Sequence, residues 1–571
     1  MKTTLSGRKQ WELTPESSRV PHLVREAGVT PLQARLLANR GLTDTHAIQS
    51  FLSPRLSQMI DPMRMKGMDE GVKSIVMAME EHEKITVFGD YDADGLTATA
   101  LLATFLSHLG ISVETYIPDR LKEGYGLNET AIKHIRENGT GLIITVDCGI
   151  SNDKEVNLAK RLGMGVVITD HHLAPSGFQP QCPVINPHQP GCSFPFKSLS
   201  GVGLAFFLAV GLRAVLRKKG WFTSGIEPDM RDYLDFVALG TMADRVPLLG
   251  QNRILVSAGV ARMADSIWPG IRALMNVAGV GMKDVSSDDL AFRVAPRLNA
   301  PGRMGDSLMG LRILMAEKPV EAHVLANKID ETNVRRRVLE QEILDQALAM
   351  IDDRMESMRT LLLASENWHT GVLGIVASRL VDRYHKPVMI AAIRDGIAVG
   401  SGRSIDGFNL HSAMKRMSHC FLRFGGHSHA AGFTFAVSQL EVLRKGLEKE
   451  GEAHLQPKDL VPTIRVDSEL SFQNITLDVI HQIHALAPFG EGNPEPVFMA
   501  RSVKVFESRV VGDRHLKLRL GQGDQALDAI AFGFGNRHPL KGVSTDFLFT
   551  PEVNRWKGTE TVQLKILDLG Q

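Results

Sequence analysis

Gly89-Asp90-Tyr91-Asp92-Ala93-Asp94-Gly95 sets three carboxylates at alternate positions and closes the run with glycine. Carboxylates this close repel one another, and burying them unpaired is costly. A bound cation turns the repulsion into ligation. Three further stretches, Asp147-Cys148-Gly149, Asp170-His171-His172 and Gly240-Thr241-Met242-Ala243-Asp244, set acids or imidazoles just past apolar runs. Hard carboxylate oxygens with one or two imidazoles suit Mg²⁺ or Mn²⁺ better than zinc. Such a set can hold two ions roughly 3.5–4 Å apart, an arrangement that activates a water and clamps a phosphoryl oxygen. The expected chemistry is hydrolysis of a phosphoester or phosphoanhydride.

Each piece alone has a plainer explanation. Asp90, Asp92 and Asp94 could form a turn cluster or a calcium loop, but Leu101 stands where an EF-hand counted from Asp90 needs glutamate. Asp147 could cap a helix, and His171-His172 could be a core pair. Cys182 and Cys192 with His188 between them fit no standard zinc finger, and Gly201-Val202-Gly203 lacks the third glycine of a dinucleotide loop. The joint placement carries the argument.

That placement comes from an α/β pattern. Apolar runs at 85–89, 112–117, 141–146 and 165–169 alternate with helical patterns, which predicts a parallel sheet covered on both faces. Ligands of such sheets bind beyond the carboxyl ends of the strands. All four site segments are expected at strand ends. Residues 1–70 read as a small helical lead-in, 71–306 as the catalytic α/β domain and 307–357 as a long helical connector. A second α/β domain is expected over 358–455, with Gly400 to Ser404 as a phosphate-approaching loop. Short strands over 462–571 suggest an all-β barrel. Residues 289–305 look too Pro- and Gly-rich for a helix.

The chain has 571 residues, 43% hydrophobic and 23% charged, with a formal net charge of +1. That balance neither demands nor excludes a nucleic acid. Four cysteines in so long a chain argue for a reducing compartment. The first residues lack an apolar core of the signal-peptide kind, and a cytoplasmic enzyme is expected.

The four site motifs resemble those of the DHH phosphoesterase superfamily. Gly425-Gly426-His427 with Ala430-Ala431-Gly432 resembles its second domain, DHHA1. Residues 368–379, 296–303, 124–127 and 487–496 are similar to the superfamily's bacterial single-strand-specific 5′→3′ DNA exonucleases, the last stretch to the start of their OB fold. The resemblance covers roughly residues 70–570. It implies Asp92, Asp94, Asp147, His171 and Asp244 as ligands of two Mn²⁺ or Mg²⁺ ions, with Asp147 a candidate bridge. Asp90 becomes a ligand or an orienting group. His172 is expected on the scissile phosphate or orienting a ligand, and Arg120, Arg303, Ser401, Arg403 and His427 on substrate phosphates. Phe88 stands where many members carry histidine, and Asp90 or a water is expected to compensate.

A narrow channel between the two α/β domains would select single strands, and the barrel would feed them. Phe489, Phe506 and Trp556 are stacking candidates, though each alone is more often a core residue, and Arg509, Arg514, His515, Lys517 and Arg519 form a strand-binding basic face or a merely solvated one. The resemblance also implies a monomer acting in repair and recombination, with single-strand-binding protein and a helicase as partners. Two alternatives stay open: a phosphodiesterase of short oligonucleotides or cyclic dinucleotides, and a non-catalytic DNA-binding relative.

Overall fold

The structure is a computed structural model that describes residues 9–570 except 121, 176, 224, 513 and 557, and Trp556 through its backbone alone. The stacking expected of the Trp556 side chain thus falls outside what is described.

The lead-in is not wholly helical. Strand β1 (Gln10–Leu13) pairs in parallel with Thr463–Val466, far along the chain. Helices Val20–Ala27, Pro31–Asn39 and Thr45–Leu52 follow. Their Leu23, Leu37 and Phe51 share one core with Phe498, Phe547 and Phe549 of the C-terminal region.

The first sheet holds β2 (Lys84–Gly89), β3 (Val113–Tyr116), β4 (Thr140–Val146), β5 (Gly165–Thr169) and β6 (Val184–Ile185), all parallel, in the order β3-β2-β4-β5-β6. Side chains alternate between two cores. Leu142, Ile144 and Val146 face helices Met68–Glu80, Ala93–His108 and Gly201–Lys218. Ile143 and Ile168 face helices Glu129–Glu137 and Asp153–Arg161. From β2 the chain runs outward to β3, and from β4 it runs the other way to β5. The switch between the carboxyl ends of β2 and β4 opens a crevice there.

Residues 289–303 are helical, against expectation: a π-type turn Asp289–Val294 runs into the helix Ala295–Arg303. Pro296 stands where the two segments join, in the first turn of the second. Pro301 lies inside the helix. The helix Pro319–Met350 is the connector's main element. Its Ala326 and Ile329 pack in the first domain's core and its Ile343 and Ala347 in the second domain's.

The second sheet has β7 (Leu361–Ser365), β8 (Val388–Arg394), β9 (Ile397–Arg403), β10 (Arg423–Gly426) and β11 (Ala430–Ala436), in the order β10-β11-β9-β8-β7. The expected loop at 400–404 is therefore mostly strand. Its glycines are packing choices: a Cβ on Gly400 would lie 2.4 Å from Ile390 O and from the Phe433 ring.

The C-terminal barrel follows β12 (Thr463–Val466) and β13 (Ser468–Glu469). Strands β14 (Phe498–Val511), β15 (His515–Gln522), β16 (Gln525–Ala531), β17 (Ser544–Trp556) and β18 (Thr559–Leu569) close on themselves through β14–β17 pairing. Five strands closed this way match an OB fold. The segment 487–496 is not a barrel strand but a knuckle against the rest of the molecule. Arg253, in the helix Gly250–Met263, donates to Ala487 O (2.7 Å), Pro488 O (3.3 Å) and Phe51 O (2.6 Å). Its guanidinium also lies 3.7 Å from the Phe51 ring centre. Arg40 donates to Asn493 Oδ1 (2.7 Å) and Pro494 O (2.6 Å), and the Leu248 N–H to Glu491 O (2.8 Å). Among the described residues no helix is long and apolar enough to cross a membrane.

Candidate metal centre and substrate cleft

Asp92 caps the helix Ala93–His108: its Oδ1 accepts from the Asp94 N–H (3.0 Å) and the Gly95 N–H (3.2 Å). Asn299 Oδ1 accepts the next free donor, the Ala93 N–H, at 2.7 Å. Asp94 turns inward, where its two oxygens accept from the N–H groups of Gly201 (2.6 Å) and Val202 (2.9 Å). A second helix N-terminus thus fixes this carboxylate. The approach is tight, since a Cβ on Gly201 would lie 2.6 Å from Asp147 Oδ1 and one on Gly240 2.9 Å from Asp94 Oδ1. The Gly201-Val202-Gly203 stretch therefore serves close packing.

Asp147 follows β4 with φ 61°, a left-handed conformation that non-glycine residues adopt at a cost. Its carbonyl accepts from the Tyr125 hydroxyl at 3.0 Å. Asp170, fully buried past β5, ties two loops together: its Oδ2 accepts from the Ile150 N–H (2.9 Å) and its Oδ1 lies 2.7 Å from His172 Nδ1. Sequence reasoning did not place Asp170 among the site residues, although its motif contains it. Asp244 is not at a strand end. It closes the helix Leu234–Asp244, and the left-handed Arg245 (φ 60°) ends the helix behind it.

The seven expected acids and imidazoles come together. Asp90, Asp92 and Asp147 form one group, Asp94, His171 and Asp244 a second, and Asp147, His171 and His172 a third. In each group the potential ligand atoms lie within 4.8 Å of one another. His171 Nε2 is 3.1 Å from Asp147 Oδ1 and 3.7 Å from Asp244 Oδ2. These three atoms and Asp90 Oδ1 are buried without a hydrogen-bond partner. Orphaned buried polar atoms are rare and need an explanation; four at one spot, mostly anionic, fit hard divalent cations. Titration agrees. Burial, then the neighbouring Asp244, pushes the Asp94 carboxyl up to about 7. Burial and then fellow carboxylates raise Asp90 and Asp147 well above the usual range, and burial raises Asp244. So many carboxylates ionise together only with positive charge among them. Phe88 is no ligand, because its ring is buried and stacks on Tyr116 with centroids 5.3 Å apart.

A basic flank faces this cluster. The Arg120 guanidinium lies 4.9 Å from the Tyr91 ring centre. Burial and then the charges of Arg120 and Arg336 push Arg303 down to about 9, while Asp92 pulls it up. Burial and then Arg120 lower Arg403 as well. Arginines this crowded want an anion. Arg403 and Ser401 lie on one face of β9, with Arg403 Nη1 donating to Ser401 Oγ (2.9 Å). Arg403 pairs in register with Ala430, whose carbonyl accepts the His427 N–H at 2.8 Å. His427 is exposed at that end of the sheet.

Three families match in succession: the DHH family, N-terminal domain, over residues 84–241, the DHHA1 domain over 357–451 and the RecJ OB domain over 466–568. The single-stranded-DNA-specific exonuclease RecJ of Bacillus subtilis is 36% identical over 99% of this chain and 71% of its own length. The same enzyme of Escherichia coli is 36% identical over 95% of this chain and 96% of its own. The chain belongs to the RecJ family. The crystal structure of RecJ with Mn²⁺ from Thermus thermophilus superposes with a TM-score of 0.83 at 30% identity, covering 98% of this chain and 79% of that one. Another RecJ bound to manganese gives 0.60 at 34% identity over 69% of this chain and 96% of that one. A RecJ structure with Mg²⁺ also matches. The RecJ-family barrel carries the expected basic face. Buried Leu516, Leu518 and Leu520 alternate on β15 with outward His515, Lys517 and Arg519. Arg509 is exposed opposite Lys517. Arg514 is exposed beside them, and Arg519 is paired with Asp528 at 2.8 Å. Phe506 is exposed on this barrel. Phe489 is not a free platform; it packs against the core shared by the barrel and the N-terminal helices.

Proposed function

We propose that this protein is a two-metal exonuclease that hydrolyses the phosphodiester bonds of single-stranded DNA from the 5′ end, releasing nucleotides. The observation that carries the reading is the cluster of orphaned carboxylates at the switch between β2 and β4, faced by crowded arginines. Asp90, Asp92, Asp94, Asp147, His171 and Asp244 would hold Mn²⁺ or Mg²⁺. Bound there, such ions supply an activated water and neutralise charge on the phosphoryl oxygens.

The chain's own groups do the rest. Burial would lower the His172 pKa, but Asp170 overrides it and holds the imidazole above its ordinary value. With Nδ1 turned to Asp170, the other ring nitrogen is left to donate to a phosphoryl oxygen. Arg120, Arg303, Arg403, Ser401 and His427 bind the phosphates of the leading nucleotides. The division at 1–70, 71–306, 307–357, 358–455 and 462–571 separates lead-in, chemistry, strut, phosphate grip and strand feed. The barrel favours a polymer over dinucleotides, because a small substrate needs no strand-feeding module. We read the enzyme as a monomeric, cytoplasmic one working in repair and recombination with a helicase and single-strand-binding protein, a reading the family likeness supports.

The test is digestion of single- and double-stranded DNA labelled at either end, with and without Mn²⁺. Mononucleotide release from labelled 5′ ends of single strands, abolished by chelation, is expected. Activity confined to very short oligonucleotides would overturn the reading.

A further inference from the structure

The chain between Tyr116 at the end of β3 and Asn128, the cap of the helix Glu129–Glu137, brings two groups to the site. They are Arg120, over the Tyr91 ring, and Tyr125, whose hydroxyl holds Asp147 O (3.0 Å) and stands 3.1 Å from His172 Nδ1. Tyr125 lies between Gly124 (φ 83°) and Gly126 (φ 80°), both in the left-handed region. Glycines make such a turn possible but raise the entropy lost on ordering it. Something has to fasten it.

We propose that Glu123 is that fastening, a positioning residue for the reaction. Its Oε1 accepts from the Asp119 N–H at 2.8 Å. Its Oε2 accepts from the Tyr116 hydroxyl at 2.9 Å and from Asn128 Nδ2 at 3.0 Å. The donors come from both ends of the excursion, so one carboxylate closes the loop on itself. Charge-assisted bonds of this kind are the strong ones. Tyr116 in turn stacks on Phe88. The position where many superfamily members carry a histidine here supports the ring that holds Glu123. The path from β2 to the cleft is then Phe88, Tyr116, Glu123, and from there Arg120 and Tyr125. Glu123 touches neither metal ligands nor the reacting phosphate and acts only through where it sets these two.

The inference rests on the exonuclease reading, so the experiment reads two things. Glu123→Ala, Glu123→Gln and Tyr116→Phe are compared with wild type in Mn²⁺-dependent digestion of 5′-phosphorylated single strands and in amide hydrogen exchange around Asp119. Glu123→Ala is expected to lower kcat/KM by about a hundredfold, the cost typical of a misplaced catalytic group. Mn²⁺ affinity and the unfolding midpoint stay near wild type. Glu123→Gln, which keeps an acceptor oxygen, recovers activity to within about tenfold of wild type. Tyr116→Phe removes one donor and falls between. Exchange at Asp119 and its neighbours rises in Glu123→Ala while the sheet is unaffected. Equal loss in the Ala and Gln variants, unchanged kcat/KM in Glu123→Ala, or loss of Mn²⁺ binding along with activity overturns the proposal. A wild-type protein with no exonuclease activity would sink the underlying reading, and the exchange difference would still judge the fastening. If Glu123→Ala does not fold, the Gln and Phe variants read the same acceptor and donor.

Discussion

At the scale of single residues, the metal centre is a set of acids that the fold has made uncomfortable. Asp94 stands at about 7 against its ordinary 3.8 because burial, then Asp244, disfavours its charge. Asp90, Asp147 and Asp244 are raised too. A carboxyl whose folded pKa is raised contributes stability below its unfolded value and loses it as pH climbs to the folded value. The metal-free protein should therefore lose stability between about pH 4 and pH 7, the span set by Asp94. Mn²⁺ should raise the unfolding midpoint more at pH 8 than at pH 5, because at pH 5 it competes with protons. Thermal unfolding with chelator or Mn²⁺ at both values checks this, and equal Mn²⁺ shifts would contradict it. The seven acids and imidazoles were legible because their spacing after apolar runs is local. Asp170 was not, because its role appears only when β5 brings it under the Ile150 N–H and against His172.

At the scale of elements, two helix N-termini and one tight approach hold the acids. The Gly201–Lys218 helix reaches Asp94 only because Gly201 has no side chain. A Gly201→Ala protein must move Asp147 or the helix, since the new Cβ would stand 2.6 Å from the Asp147 side chain. Overpacking of this sort costs about 1–3 kcal/mol. A lowered unfolding midpoint and weaker Mn²⁺ binding are expected together, by calorimetry of the same preparation. A loss of stability with wild-type Mn²⁺ affinity would show that the helix does not set the site. The parallel sheet was legible from apolar runs such as Leu142 to Val146, which only a doubly covered strand explains. The helix through Pro296 and Pro301 was not, because both prolines stand inside a continuous helical stretch, where their missing N–H groups read as breaks in the sequence. Asp244 misled for a related reason: the apolar run before it is a buried helix, and a short buried run does not reveal its period.

At the scale of the whole molecule, the barrel sits where Arg253 and the 487–496 knuckle place it. Arg253→Met would leave the carbonyls of Phe51 and Ala487 without this donor, at about 1–3 kcal/mol for each buried group left unpaired, while Pro488 O keeps the bond from Asn493 Nδ2 at 2.8 Å. A misplaced barrel should lower kcat/KM on strands long enough to reach it by about tenfold and leave shorter strands nearly unaffected. A length series of 5′-labelled strands measures this, and equal loss at every length would contradict it. The domain succession was visible in the sequence as changes of period. The knuckle was not, because Arg253 and Ala487 meet across more than two hundred residues and neither side alone looks unusual.

The central claim is that these clustered acids perform the hydrolysis, and the most direct measurement is Mn²⁺-dependent digestion of a 5′-labelled single strand by wild type and Asp147→Ala side by side. The account predicts steady nucleotide release by the wild type and a fall of about a thousandfold or more in the variant, with circular dichroism unchanged. An Asp147→Ala protein that degrades the strand as fast as wild type would contradict it.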